Sequence, residues 1–282
     1  MAPISIGTTS GCKLMSEFEA ICLVGWGAIN QRVAAILAER SSPVTIVAVA
    51  VRDPERERED LPAGARLITQ PGDLAATGAT LVIEAAGRDS VLPFGRAALA
   101  AGMDFAVSST SAFIDDAALS ELIALAKTEG RQLLMPPGAL GGVDALAAAS
   151  RLNLTDVEHR IIKPPKAWLG TPAETLCDLN GLQEPLAFFE GSAREAADRF
   201  PQNANVAVIT SLAGIGIDRT RVTLVADPTA RLNAHEIRAE GDFGLLEIRL
   251  QNRPLATNPK SSEMAALNIV RLIENRAAGL VL

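Results

Sequence analysis

Residues 20–30 read Ala20-Ile21-Cys22-Leu23-Val24-Gly25-Trp26-Gly27-Ala28-Ile29-Asn30. Five apolar residues stop at a glycine, the pattern of a short buried strand that ends in a turn. From Ala28 to Arg40 the period becomes helical, with Ile29, Val33 and Leu37 on one face and Ala34 and Ala38 beside it. Val44–Val51 then runs as nearly continuous β-branched and apolar residues, which suits a strand covered on both faces in a parallel sheet.

The pattern repeats outward from there. Ala79-Thr80-Leu81-Val82-Ile83, Phe105-Ala106-Val107 and Gln132-Leu133-Leu134-Met135 read as further strands. Between the last two, Asp115 can cap a helix that carries Leu119, Leu122, Ile123 and Leu125 and ends at Gly130. Strands alternating with helices predict an α/β domain of the Rossmann type, with a parallel sheet. Pro136-Pro137-Gly138 breaks the rhythm. Beyond it, a helix near 143–152 precedes strand-like segments near 157–163, 186–191, 221–226, 235–240 and 244–250. Strands now follow one another, so a second α+β domain with a mixed sheet is expected. A last amphipathic helix begins near Ser262, with Met264, Leu267, Val270 and Ile273 on one face. The expected divisions are a polar, flexible arm over 1–17, a Rossmann-type domain over 18–136 and the second, α+β domain over 137–257. Residues 258–282 would form a C-terminal helix that packs back on the first domain.

Composition narrows the chemistry. The 282 residues carry a formal net charge of −7, which argues against a broad nucleic-acid interface. There is no Tyr, so tyrosine-based proton donation is excluded. The two histidines, His159 and His235, are the only candidates for an imidazole catalyst from this chain. Cys12, Cys22 and Cys177 have no C-x-x-C spacing, so neither a zinc site nor a redox pair is visible and no metal is expected. A reduced, cytoplasmic compartment fits such thiols. No signal peptide and no apolar run of about 20 residues is seen, so no membrane partner is expected.

The glycine turn points to NAD or NADP. Gly25 permits a tight turn and Gly27 lets the backbone approach a pyrophosphate resting on the helix N-terminus. Gly25, Gly27, Ala28 and Ile29 are therefore candidate cofactor residues. The third fingerprint position holds Asn30 rather than Gly or Ala, which predicts a looser approach of helix to strand. An ordinary glycine-containing βα turn is the alternative. After the second strand, Arg52 precedes Asp53. Arg52 would suit a 2′-phosphate and Asp53 a ribose hydroxyl, so either cofactor is compatible, and so is a simple solvated loop. Glu84, at the end of a strand beside the expected crevice, reads best as a buried, hydrogen-bonded structural carboxylate.

Hydride transfer from an amine or alcohol needs a nearby group to take up a proton, and a neutral imidazole serves near pH 7. His159 lies in Val157-Glu158-His159-Arg160, flanked by charges, and reads as exposed and structural. His235 opens a strand in Asn233-Ala234-His235-Glu236-Ile237 and is favoured as the catalytic group.

Several longer segments occur in a telling order. They are Pro137-Gly138-Ala139-Leu140-Gly141-Gly142-Val143-Asp144, Lys163-Pro164-Pro165 and Phe200-Pro201-Gln202-Asn203-Ala204-Asn205-Val206-Ala207, with Asn258-Pro259-Lys260-Ser261-Ser262 further on. Together they closely resemble the L-aspartate dehydrogenase family, over nearly the whole chain from about residue 19. Ala167-Trp168-Leu169-Gly170-Thr171-Pro172 and Gly191-Ser192-Ala193-Arg194 are similar to its bacterial branch. The resemblance implies that Ala139 and Asn205 contact the nicotinamide cofactor and that His235 is catalytic. It implies oxidation of L-aspartate to iminoaspartate, which hydrolyses to oxaloacetate and ammonia or feeds pyridine nucleotide synthesis. It also implies a homodimer, with residues 18–136 as the dinucleotide-binding domain and 137–257 as the substrate and dimerisation domain. Ser108-Ser109-Thr110-Ser111-Ala112-Phe113 departs from the family's usual segment.

A substrate with two carboxylates needs cationic or backbone N–H partners. Lys163 and Lys260 are candidates, and Arg194 is a third; each could instead be a solvated surface charge. Rival readings are another Rossmann amino-acid or homoserine-type dehydrogenase, and a non-catalytic NAD(P)-binding sensor.

Overall fold

Val24 hands its chain to Gly25 at φ +89°, a conformation that L side chains rarely adopt. A Cβ at Gly25 would also lie 2.8 Å from the Cβ of Ala86, so only glycine lets these two strand ends approach. The computed structural model describes residues 19–58, 60–201 and 205–281. The expected arm over 1–17, Cys12 and Gln202–Ala204 lie outside the described residues.

Six strands make the first sheet: β1 (Glu19–Val24), β2 (Val44–Ala50), β3 (Arg66–Ile68), β4 (Leu81–Glu84), β5 (Asp104–Val107) and β6 (Leu133–Leu134). All pair in parallel, in the order β3-β2-β1-β4-β5-β6. This is the Rossmann order, and its direction reverses between β1 and β4, where a ligand crevice opens. Alternation along each strand feeds two cores. Ile21, Leu23, Val49, Leu81 and Ile83 face α1 (Ala28–Glu39). Cys22, Val24, Val82, Phe105 and Val107 share the other core with α2 (Arg88–Ala100) and α3 (Asp116–Glu129). Asp115 caps α3 by accepting from the N–H groups of Ala117 and Ala118, and Gly130 ends it at φ +62°, as the sequence predicts.

The second half begins with α4 (Val143–Ala149), three residues shorter than its apolar period suggests. A mixed sheet then forms from β7 (Leu154–Lys163), β8 (Leu186–Ser192), β9 (Arg221–Ala226), β10 (Asn233–Gly241) and β11 (Gly244–Asn252). Its order is β11-β10-β7-β9-β8, with β7 and β9 parallel and the other pairs antiparallel. Short α5 (Ala173–Leu176), α6 (Ala193–Arg199) and α7 (Asn205–Ala213) link these strands. The strand pair β12 (Pro254–Leu255) and β13 (Asn258–Ser262) leads to α8 (Glu263–Ala277). Ala266, Ile269, Val270 and Ile273 of α8 join the core between α1 and the first sheet.

Asn30 does the opposite of loosening the turn. It is fully buried, and its Nδ2 donates to the carbonyls of Val24 (3.0 Å) and Gly25 (2.8 Å). The amide thus ties α1 to the strand end where a smaller residue would only pack. Asn30→Ala is expected to lower unfolding free energy by about 1–3 kcal/mol, the range for removing buried hydrogen bonds. Urea denaturation measures this, and unchanged stability would contradict the role.

Candidate active site

Strand alternation builds the site's floor. On β7, Val157, His159, Ile161 and Lys163 all turn to the buried face, while Glu158, Arg160 and Ile162 do not. The register sets His235 opposite Ile161 and Ile237 opposite His159, so the two histidines are diagonal neighbours on one face. His159 is therefore not exposed. It is fully buried, its Nε2 lies 3.2 Å from His235 Nδ1, and its Nδ1 lies 3.0 Å from Thr210 Oγ1 on α7. The flanking charges that suggest exposure belong to the other face of the same strand. There Arg221 pairs with Asp156 and Glu158, and Arg160 lies near Glu236.

Burial keeps both rings neutral. Desolvation pushes His159 down to about 3. His235 is lowered well below the usual imidazole range by desolvation, then by His159 and Lys163. Lys163 is only 4% exposed, and desolvation, aided by Lys260, pushes its ammonium down to about 8. Its Nζ donates to the carbonyl of Lys260 at 3.3 Å and sits 5.6 Å from the centre of the Trp168 ring. Trp168 is fixed by its Nε1–H bond to the Val225 carbonyl at 3.1 Å and by edge-on contacts with Phe188 and Phe200.

One cavity gathers most of the candidates. Ile29, Ala139, Asn205, Lys163, His235 and Lys260 all line it, together with Ser108. Ala139 is held from both sides: Asn252 Nδ2 donates to its carbonyl at 2.7 Å, and Asn268 Nδ2 donates to the carbonyls of Gly138 and Leu140. Asn205 accepts from Ser111 N–H through Oδ1 (2.9 Å) and from Thr110 Oγ1 through its backbone carbonyl (2.7 Å). The Ser108–Phe113 segment that departs from the family pattern thus serves as the seat for α7. Lys260 stands on a turn in which Asn258 Oδ1 accepts from Lys260 N–H.

Above this floor lies the glycine turn. Gly27 is the N-cap of α1, and the first turn has neither a side-chain cap nor an acidic residue. Among the described residues, none beyond its chain neighbours lies within 4 Å of a Cβ built on Gly27, so an anion can approach the helix N-terminus there. The donor set and the open backbone fit a dinucleotide pyrophosphate. Glu84 is fully buried and accepts from the N–H groups of Ala86, Gly87 and Ser109 and from the hydroxyls of Ser90 and Ser109. It is the structural carboxylate the sequence suggests, and it ties together two loops at the mouth of the crevice.

Two candidates stand apart from the cavity. Arg52 is exposed just beyond β2. Arg194 is bound to Asp218 and Asp116 and to the carbonyl of Ile114, so its charge joins the two halves of the chain rather than facing the cavity. A larger groove runs beside α1 between Ala34, Ala38, Leu61 and Pro62; of the candidates it includes only Ala28. Thr210, Asn252 and Asn268 went unnoticed in the sequence. His159 had a readable signal in the alternation Val157, His159, Ile161, Lys163.

This is a two-domain oxidoreductase with a Rossmann-type NAD(P)-binding sheet. A family profile described as "Aspartate dehydrogenase, C-terminal" matches residues 144–276, and "Homoserine dehydrogenase, NAD binding domain" matches residues 25–136. The chain is 67% identical over 268 residues to the L-aspartate dehydrogenase of Brucella anthropi, covering 95% of this chain and 100% of that one. It is 38% identical to the L-aspartate dehydrogenase of Pseudomonas aeruginosa, covering 91% and 97%. The crystal structure of aspartate dehydrogenase from Thermotoga maritima superposes with a TM-score of 0.73 at 25% identity, covering 94% of this chain and 99% of that one. The chain belongs to the L-aspartate dehydrogenase family.

The neutral histidines make stability depend on pH in a fixed direction. In the unfolded chain both imidazoles bind protons below about pH 6.5, whereas in the native chain they resist it. Their contribution is complete above that value and is lost as pH falls, by up to about 1.4 kcal/mol per pH unit for each ring. Denaturant unfolding between about pH 6.5 and 5, above most carboxylate titration, should show this slope, and His159→Leu should halve it. A flat profile would contradict the buried neutral pair.

Proposed function

We propose that this protein oxidises L-aspartate to iminoaspartate with NAD or NADP, and that the imine then hydrolyses to oxaloacetate and ammonia or serves as a precursor for pyridine nucleotides. The observation that carries this reading is that two lysines and a neutral imidazole share one cavity beside the residues proposed for the nicotinamide end. The relatives named L-aspartate dehydrogenase support it.

Gly25, Gly27, Ala28 and Ile29 would hold the dinucleotide at the turn, with Ala139 and Asn205 at the nicotinamide end and Arg52 near the adenosine ribose. The bound cofactor supplies the acceptor for the two electrons that leave Cα. Lys163 and Lys260 anchor the two carboxylates; a ligand with two such groups matches them better than homoserine, which has one. With Nδ1 engaged by His159, His235 offers Nε2 to the cavity. There it takes the proton of the water that adds to the imine carbon. A sensor that only bound the dinucleotide would have no use for that imidazole. A homodimer formed through the second sheet, of which β11 is an open edge, and a cytoplasmic location complete the reading.

The direct test is reduced-dinucleotide formation with L-aspartate, compared with homoserine and other amino acids. Turnover is expected with aspartate, and His235→Ala should lower kcat by about 100-fold or more while dinucleotide affinity stays near wild type. Retained turnover in that variant would remove His235 from the mechanism.

The Lys163 assignment gives a separate expectation. Succinate is a non-reacting dicarboxylate whose charge is constant above neutral pH. Its affinity should fall as pH rises through about 8, where Lys163 loses its proton. Both histidines are already neutral in that range, so the loss belongs to Lys163, with Lys260 the other cation facing the ligand. Lys163→Met should weaken succinate and flatten the dependence. A wild-type profile unchanged across this range would contradict the contact.

A further inference from the structure

We propose that His159 and Thr210 are positioning residues that fix the tautomer of His235, so that the nitrogen it turns toward the cavity is an unprotonated acceptor. This rests on the reading of His235 as the proton-transfer group. It follows from a chain of hydrogen bonds with one defined direction.

The chain starts at a group that can only accept. Thr210 Oγ1 lies 3.0 Å from the carbonyl oxygen of Val206, one helical turn earlier on α7. The hydroxyl has a single proton, and it must point at that carbonyl; otherwise two oxygens would face each other with nothing between them. The same hydroxyl oxygen lies 3.0 Å from His159 Nδ1 and, with its proton committed, can only accept there. His159 therefore carries its proton on Nδ1. A neutral imidazole has one N–H, so His159 Nε2 is a lone pair. That lone pair faces His235 Nδ1 at 3.2 Å, and Nδ1 of His235 must be the donor. The proton of His235 is thereby used inside the sheet, and its Nε2 is bare. Both rings are neutral because they are sealed from water, with Lys163 and Lys260 bordering the same cavity.

The direction matters for chemistry. In the opposite tautomer His235 would present an N–H to the substrate and could take up no proton. With Nε2 bare, it accepts a proton from the water that adds to the imine carbon. The resulting imidazolium keeps its Nδ1–H bond to His159, so the ring does not turn during the cycle. The sequence contains only these two histidines, which makes the assignment readable.

The test is a nitrogen NMR spectrum of untagged protein labelled with 15N only in histidine, near neutral pH. Both rings are expected as neutral Nδ1–H tautomers. A spectrum with the His235 proton on Nε2, or with either ring charged, would overturn the proposal. Thr210→Val removes the accepting hydroxyl at nearly constant volume, and Thr210→Ser keeps it. Thr210→Val should release His159 and His235 into mixed tautomers and lower kcat by roughly a hundredfold, the lower end of what a general acid/base contributes. The KM for aspartate should stay within about twofold, because the lysine contacts are untouched. Thr210→Ser should restore both spectrum and kcat. Unchanged tautomers in Thr210→Val, with or without a loss of rate, would overturn the proposal and leave Thr210 a packing role only. The wild-type spectrum needs no substrate, so it is read independently of whether aspartate turns over.

Discussion

Two imidazoles and one ammonium group are held out of water on a single face of the second sheet, and much of the chain exists to make that tolerable. A buried polar group without a partner costs on the order of 1–3 kcal/mol, and more if charged. The structure answers each case locally. Thr210 and His235 take the two nitrogens of His159. The carbonyl of Lys260 and the face of Trp168 take the ammonium of Lys163. These partners come from α7, β10, β13 and the loop after β7, so the same contacts that satisfy the buried groups also fix the walls of the cavity. Burial strengthens electrostatics, which keeps the two imidazoles neutral and, in the proposed reading, favours a dianion between the two lysines.

The first domain contributes a different kind of precision. Its glycine turn must bring backbone close to a ligand, and close approach needs missing side chains and well-held loops. Gly25 meets the first need through its contact with Ala86. Glu84 meets the second by collecting five donors from the loops after β4 and β5 and from the first turn of α2. One of those loops, through Ser111 and Thr110, also holds Asn205 at the start of α7. The glycine-turn side and the histidine side are thus mechanically joined: α7 carries Thr210 at one position and Asn205 at another, and α8 spans from the first core to the Ala139 loop through Asn268.

The architecture was largely legible because it is written in period and punctuation. The apolar run before Gly25, the cap at Asp115, the stop at Gly130 and the alternating strands of the second half all express local rules, and the structure follows them. Asn30 was misread because its fit depends on where two carbonyls lie after folding. His159 is concealed for a related reason: its nearest neighbours in the chain are charged, but a strand sends neighbours to opposite faces. Arg194 looked like a substrate ligand until its partners, distant in sequence, were in place. Thr210 and Asn268 gave no local signal, since their work lies in contacts with residues 51 and 130 or 128 positions away.

In the proposed reading, carboxylate anchorage, the nicotinamide end of the cofactor and the acid/base imidazole meet in one cavity. A crystal structure of the protein with NAD and succinate would show whether they do. Pyrophosphate is expected at the N-terminus of α1, the nicotinamide beside Ala139 and Asn205, and the succinate carboxylates on Lys163 and Lys260 with His235 Nε2 facing the carbon chain between them. Succinate bound elsewhere, or a His235 ring whose Nε2 faces away from it, would separate these functions and rule out a shared site.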